Sequence, residues 1–380
     1  MSRLEELIAE LCPEGVEYKL LPDVLKIQRG VRVVKKDLME NGLYPVYQNS
    51  LTPLGYYDKY NCEAGTTMII VAGAAGDILY SSKRFWAADD CFYFVCNEES
   101  LISKFLYYAL MVQQRKIYSK VRTASIPRLS RINIEKIRIP IPPLPVQGEI
   151  VRILDNFTEL TAELTAELTA RKKQYAFYRD KLLSFESAIP LLPLKEVVRK
   201  SGAGATPAKG NPEYYEGGTI PWIRTQDVRF NEIEEVDSFI TEKAVEETAA
   251  KWIPENCVIV AISGATAGRC AINKIKATTN QHCLNMQIDA EKALYKYVYY
   301  CLCSKQDELI SKKQGARGDL NSSLILGTKI PVPKLEIQEK IVNVLDHFDA
   351  ICSDLKIGLP AEIEARKKQY EYYRDKLLTF

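Results

Sequence analysis

RKKQYAFYRDKLLSF (171–185) and RKKQYEYYRDKLLTF (366–380) match at 12 of 15 positions, and this near-identity decides how the rest of the chain is read. Working outward from it, IPIPPLPVQGEIVRILDNF (139–157) pairs with IPVPKLEIQEKIVNVLDHF (330–348) at 10 of 19 positions. The offset is 191 residues in the earlier block and 195 in the later one, so the copies differ by four residues between the blocks. Fainter matches precede these, FLYYAL (105–110) with YVYYCL (297–302) and IPRLSRINIEKIRIP (126–140) with RGDLNSSLILGTKIP (317–331). The chain is a tandem duplication. Its borders fall as a variable globular domain at 1–138, a helical segment at 139–189, a second globular domain at 190–329 and a second helical segment at 330–380.

In the first helical segment Ile150, Ile153, Phe157, Leu160, Leu164, Leu168, Tyr175, Tyr178, Leu182 and Phe185 follow mostly 3-4 spacing, the pattern of a coiled-coil seam. Pro145 suits a first helical turn and Pro190 lies beyond the end, which predicts a helix of about 40 residues, ~60 Å at 1.5 Å per residue. A helix of that length needs a partner. The second copy supplies one, through Ile341, Val344, Phe348, Ile351, Leu355, Ile363, Tyr370, Tyr373, Leu377 and Phe380. Gly358 and Pro360 are expected to kink or break that copy near its middle. The tetrads TAEL at 161–164 and 165–168 lie within the first helix. One tetrad more or less extends a helix by ~6 Å and turns its far end by roughly 40°. They read either as a tolerated repeat on a solvated face or as a ruler between the globular domains.

The 380 residues carry 51 Lys and Arg against 49 Asp and Glu, a net charge of +2, and are 47% hydrophobic. Those proportions fit a soluble chain of two or three domains and exclude disorder, collagen and a coiled coil alone. Net charge by segment is +3, −1, +1 and −1 in chain order, so any basic surface is local. No apolar run approaches ~20 residues, and MSRLEELIAELCPEG at the start reads as an amphipathic helix, not a signal peptide. A cytoplasmic location is expected, with no membrane partner. In that compartment the ten cysteines read as buried small hydrophobes, Cys301 and Cys303 forming a CxC without a second pair at zinc spacing.

TTMIIVAGAAGDILY (66–80) and NCVIVAISGATAGRCAI (256–272) both read as strand, glycine turn, strand. Helical stretches at 100–118 and 292–309 follow, giving two α+β domains. Catalytic readings find little material. The histidines are His282 and His347 alone, too few for a triad or a multi-His metal site. NPEY (211–214) differs by Glu213 from the Asn-Pro-Pro-Tyr of adenine methyltransferases and lacks a glycine-rich cofactor loop before it. Gly264 to Arg269 lacks the spacing and Lys-Ser/Thr of a phosphate loop. Glu17-Tyr18-Lys19 is a lone carboxylate-x-lysine. No catalytic residue and no metal site is assigned.

Polar residues beside turns are more suggestive. In the first domain they are Arg29, Arg32, Lys35, Lys36, Gln48, Asn49, Lys83, Arg84, Arg122 and Arg128. In the second they are Lys209, Arg224, Gln226, Arg229, Arg269, Lys274, Gln281 and Arg317. Arg and Lys suit phosphates or guanine edges, and Gln and Asn suit adenine edges. As a set they read as a double-stranded DNA surface.

With its duplicated IPxP segments, paired RKKQYxxYRDKLL helix ends, TAEL tetrads and GNPEYYEGGTIPWIRTQDV (210–228), the chain resembles the specificity subunit of a type I restriction-modification system over essentially its whole length. The resemblance implies an α+β fold of two target recognition domains, with the long helices packed as an antiparallel coiled coil of pseudo-two-fold symmetry. It implies a split DNA site read one half per domain, docking of two modification (methyltransferase) subunits, and restriction subunits that act as motor and nuclease. S-adenosylmethionine, ATP and Mg would then be bound by those partners and no cofactor by this chain. Two alternatives stay open: a protein-binding assembly scaffold, and the recognition half of a split restriction enzyme of another type.

Overall fold

The computed structural model describes residues 3–123, 125–185, 189–313, 319–354 and 356–380. Helices α1 (Ser103–Val112), α2 (Leu144–Leu183), α3 (Tyr295–Ser304), α4 (Leu335–Ser353) and α5 (Leu359–Leu377) organise the chain. It forms two compact units, and these are not the two sequence repeats. One unit holds Met1–Thr165 together with Glu362–Phe380, and the other holds Ala166–Ala361.

In the first unit, strands Leu25–Arg29, Cys91–Cys96, Thr66–Ile70 and Ile78–Ser81 form an antiparallel sheet in that order. Met68, Ile69 and Ile70 are all buried, so this strand is apolar on both faces instead of alternating. The strand pair around Ile69↔Ile78 is the strand, glycine turn, strand read from 66–80. Its turn needs glycine at 73, where φ is +83° and a Cβ would lie 2.7 Å from the carbonyl oxygen of Asn49. A smaller sheet orders Gly55–Tyr57, Tyr44–Tyr47 and Trp86–Ala87. Helix α1 covers the first sheet with Phe105, Leu106, Tyr108, Ala109 and Leu110 buried.

The second unit builds a five-stranded sheet on the same plan, with Val198–Ala203, Cys283–Ile288, Val258–Ala261, Cys270–Asn273 and Glu232–Ile233 in order. Helix α3 packs against it through Tyr297, Val298, Cys301 and Leu302. A four-stranded sheet of Phe239–Ile240, Ile220–Ile223, Ala277–Thr279 and Trp252–Ile253 completes it. The ends of each globular part are clipped by a short antiparallel pair, Tyr18–Leu20 with Arg138–Pro140 in one and Leu191–Pro193 with Lys329–Pro331 in the other. All ten cysteines are free thiols, and only Cys96 is not fully buried.

Helix α2 runs unbroken for 40 residues with Pro145 in its first turn. The second copy is interrupted between Ser353 and Leu359. There Asp354 turns to extended backbone and its Oδ1 accepts from the amides of Lys356 (2.6 Å) and Ile357 (3.1 Å). A Cβ on Gly358 would lie 2.6 Å from the carbonyl oxygens of both Ala350 and Asp354, and Pro360 sits in the first turn of α5. The four extra residues of the second copy fall between Phe348 and Arg366, the span that contains this interruption.

Read along α2 from its start, its partners come first from α5 and later from α4, the order of an antiparallel pair. In the first unit Phe157 stacks on Tyr373 (5.4 Å between centroids, 21°), and Ile150, Ile153, Tyr370 and Leu377 join one core. In the second unit Tyr178 stacks on Phe348 (5.7 Å, 23°), and Tyr175, Leu182 and Ile341 join another. Leu164 and Leu168 are half-buried. Val344 is 43% exposed while Ile341, Val342 and Leu345 are buried, because the face of α4 that meets the globular part runs through those positions. Leu355 lies outside the described residues.

Each helix start is locked to its globular part by the same side chains. Buried Gln147 accepts from the amide of Ile102 (2.9 Å) and donates to the carbonyls of Ser100 and Pro142 (both 2.8 Å). Buried Gln338 accepts from Leu294 (2.9 Å) and donates to Lys292 (3.2 Å) and Pro333 (2.8 Å). Asp155 binds Lys104 (2.8 Å) and the Tyr108 hydroxyl (2.6 Å), and Asp346 binds Lys296 (2.8 Å) and the Tyr300 hydroxyl (2.5 Å).

Candidate nucleic-acid interface

In the first unit a cleft of about 470 Å³ opens where the strand Leu25–Arg29 ends beside the turns before Cys91 and after Lys120. Arg29, Lys120, Arg122, Arg128 and Arg131 line it, with Asp90 as the one carboxylate. Arg122 and Arg128 face each other across an isolated antiparallel bridge, their backbones exchanging hydrogen bonds of 2.8 and 3.1 Å. That bridge fixes two guanidinium-bearing side chains on one rim. Arg29 donates through Nε to the carbonyl of Asp89 (2.9 Å), and Arg131 is paired with Glu135 (2.7 Å). No carboxylate stands within 4 Å of Lys120, Arg122 or Arg128 among the described residues. Cations left unpaired beside a cleft are available to an anionic ligand such as a phosphate backbone.

Gln48 is not in the cleft lining but donates through its side-chain amide to Asp90 Oδ2 at 3.4 Å. The Asn49 carbonyl instead accepts the amide of Ala74 (2.9 Å) and supports the Gly73 turn. Arg32, Lys35, Lys36 and Lys83 are exposed away from the cleft lining. Arg84 is already engaged, with Glu63 at 2.8 Å and the Tyr60 ring at 4.6 Å.

In the second unit the polar residues are more dispersed. Arg224 lies over the Trp222 ring at 5.8 Å, its amide donating to Asp227 Oδ2 (2.8 Å). Arg229 donates to the carbonyl of Gln226 at 2.5 Å. Arg269 is half-buried at the end of the Gly264 turn, with its amide on Thr266 (3.0 Å). Lys209 is exposed. Lys274 is held by Asn256 Oδ1 (2.8 Å) and the Tyr295 hydroxyl (3.4 Å), a structural use of its charge. Gln281 accepts from the Thr206 hydroxyl and lies 3.2 Å from the His282 ring nitrogen. Arg317 lies outside the described residues.

The two sites share one backbone frame. In the first unit the Leu129 amide donates to Val71 (2.9 Å), the Val71 amide to Asp90 (2.8 Å) and the Cys91 amide to Ala88 (3.0 Å). In the second, Leu320 donates to Ile262 (2.7 Å), Ile262 to His282 (2.9 Å) and Cys283 to Asn280 (3.2 Å). The corner Asp89-Asp90 therefore occupies the place of Gln281-His282. Among the described residues two buried side-chain polar atoms have no hydrogen-bond partner, and they lie one in each unit: Asp89 Oδ1 and Arg224 Nε.

A family model described as the type I restriction modification DNA specificity domain matches the chain twice, over residues 13–171 and 191–365. The chain belongs to that family. It is similar throughout to curated specificity subunits. One is the EcoR124I/EcoR124II type I restriction enzyme specificity subunit of Escherichia coli, at 35% identity over 100% of this chain and 97% of that protein. Another is a putative type I restriction enzyme specificity subunit of Haemophilus influenzae, at 30% identity over 96% of each. The fold matches the crystal structure of a type I restriction-modification S subunit from M. genitalium, with TM-score 0.64 and 18% identity over 96% of both chains. In this specificity subunit Lys120, Arg131, Asp89, Asp90 and His282 escape the sequence reading. A solvated lysine and a paired arginine carry no distinguishing signal in sequence. An acidic pair runs against the expectation of a basic DNA surface, although its place directly before CFYFVC matches that of Gln281-His282 before CLNMQI. Among the described residues no group of three or more His, Cys, Asp or Glu is placed to hold a metal ion. No helix among them is long and apolar enough to cross a membrane.

Proposed function

We propose that this chain reads a bipartite double-stranded DNA site, one half-site per recognition domain, with the paired helices as spacer and as the platform for two adenine-N6 methyltransferase subunits and the restriction subunits. The observation that carries this reading is one backbone frame built twice, each time with its own set of polar side chains beside it. Two domains of one architecture and unlike surface chemistry suit two half-sites of unlike sequence. S-adenosylmethionine, ATP and Mg belong to the partner subunits in this reading, and the chain contributes recognition without a catalytic group. The near-neutral net charge of +2 fits a reader whose grip on DNA is completed by its partners.

Single-molecule methylome sequencing of cells expressing the chain with its cognate methyltransferase, against the methyltransferase alone, tests it. N6-methyladenine in a split motif is expected only when the chain is present. No new motif, with the methyltransferase shown to co-purify, overturns the reading. Deleting one TAEL tetrad shortens α2 by ~6 Å against ~3.4 Å per base pair. The unread spacer should shrink by about one or two base pairs with both half-sites unchanged, and an unchanged spacer would rule out the helix as ruler.

A further inference from the structure

We infer that the two-residue corner before the central strand, Asp89-Asp90 in the first domain and Gln281-His282 in the second, is a base-reading position of each domain. The inference rests on the DNA-reading function proposed above and assigns it to particular atoms. Its first support is positional. The hydrogen bonds from Val71 to Asp90 and from Ile262 to His282, at 2.8 and 2.9 Å, place the two corners at one point of a common frame. A residue kept there to hold the fold would be expected to keep its chemistry, as Gln147 and Gln338 do. Here the frame is kept and the chemistry changes from two carboxylates to an amide and an imidazole.

The second support is local. Asp90 lies in the cleft lined by Lys120, Arg122 and Arg128, which have no carboxylate within 4 Å among the described residues. These cations suit the phosphates of a backbone beside Asp90, whose Oδ2 accepts from Gln48 at 3.4 Å and whose Oδ1 is left to accept from a base. Asp89 Oδ1 is buried with no donor, an acceptor whose desolvation is uncompensated within the protein. A buried acceptor without a donor is a site that a ligand's N–H can fill. An ionised carboxylate only accepts, so this corner suits the exocyclic amino group of cytosine or adenine. An amide both donates and accepts, the pattern that matches the adenine edge, and the Thr206 hydroxyl holds the Gln281 amide in place. The two corners thus predict amino-bearing bases at one position of each half-site, read by different donor and acceptor sets.

The test expresses Asp90→Asn and His282→Asn, each in the full chain with its methyltransferase, and reads the methylome of each. Asp90→Asn should change or relax the base accepted at one position of one half-site, with discrimination falling on the order of ten- to a hundred-fold. His282→Asn should act only on the other half-site. Where a variant methylates nothing, the purified complex is titrated with duplexes permuted at each position. Discrimination lost in one half-site alone supports the assignment. An unaltered motif in both variants overturns it, as does discrimination lost equally in both half-sites. A split motif absent from the unsubstituted chain would instead remove the DNA-reading function on which the assignment rests.

Discussion

In the first unit Gln147 and Asp155 fasten the long helix to its globular part, and in the second Gln338 and Asp346 do so with partners at equivalent positions and similar distances. At the corner before the central strand the units part company, with carboxylates in one and an amide and imidazole in the other. The cations differ as well. The first unit gathers five around one cleft, and the second has Arg224 and Arg229 about the turn after Ile223 and Arg269 on another. Duplication has kept what both halves must share, the attachment of the helices, and has let go what each half uses separately.

The likeness at the helix attachment breaks most visibly through the glutamines. Gln147→Leu would strand the Ile102 amide and the Ser100 and Pro142 carbonyls inside the core. At about 1–3 kcal/mol for each buried group left without a partner, the first unit should lose about 3 kcal/mol or more. Gln338→Leu should do the same to the second. Hydrogen exchange followed by mass spectrometry on the full chain should show loss of protection confined to the unit carrying the change. Equal loss in both units would mean that they do not unfold separately.

A smaller effect is expected from the ring stacks. Phe157→Ala and Phe348→Ala each remove a half-buried ring, and double-mutant cycles with Tyr373 and Tyr178 should give couplings of about 0.5–1.5 kcal/mol. Similar couplings in the two units would sharpen the comparison. A coupling near zero in one would show that this unit seats its ring pair less firmly than the other.

The smallest effect distinguishes the units by pH. Asp349 stands in the second copy where the first has Thr158. Burial pushes its carboxyl above the ordinary carboxylate range, helped by Asp346 and Glu232 and opposed by the Ser353 hydroxyl and Lys296. A folded-state value raised above the unfolded one means that this residue's contribution to stability is complete below the unfolded value, near ~3.9, and is lost as pH rises through the folded value. Acidifying from neutral pH should therefore favour the second unit through Asp349, with no counterpart at Thr158. Asp349→Asn should abolish that gain and shift stability by no more than about 1 kcal/mol at pH 7. Denaturant unfolding of both chains between pH 7 and pH 5, spanning ~2 pH units above the carboxylate range, decides it.

Much of this architecture is legible in sequence because helices and turns are local. The seam spacing with Pro145 points to a helix of about the length found, and Gly358 with Pro360 to the interruption after Ser353. The paired strands of 66–80 follow from β-branched runs on either side of glycine. What escaped was nonlocal. Leu345 and Val342 replace Val344 in the buried face because α4 packs against a globular core as well as a helix, and a heptad pattern describes only the latter. The corner of Asp89-Asp90 with Gln281-His282 becomes visible only through backbone hydrogen bonds, since its chemistry differs between the copies. Charges such as Lys274 and Arg84 look alike in sequence whether they face solvent or are tied down by Asn256 or Glu63.

The exchange of helix ends has a consequence for synthesis. The second unit is contiguous in the chain, whereas the first closes only when Tyr370, Tyr373 and Leu377 arrive to cover Tyr108, Phe157 and Ile150. Domains generally form as they leave the ribosome, first-made first. Here the first unit must wait with an uncovered apolar helix face until Glu362–Phe380 emerge. A chain cut short by a stop codon before Glu362 keeps every residue of the second unit and leaves the first without its closing helix.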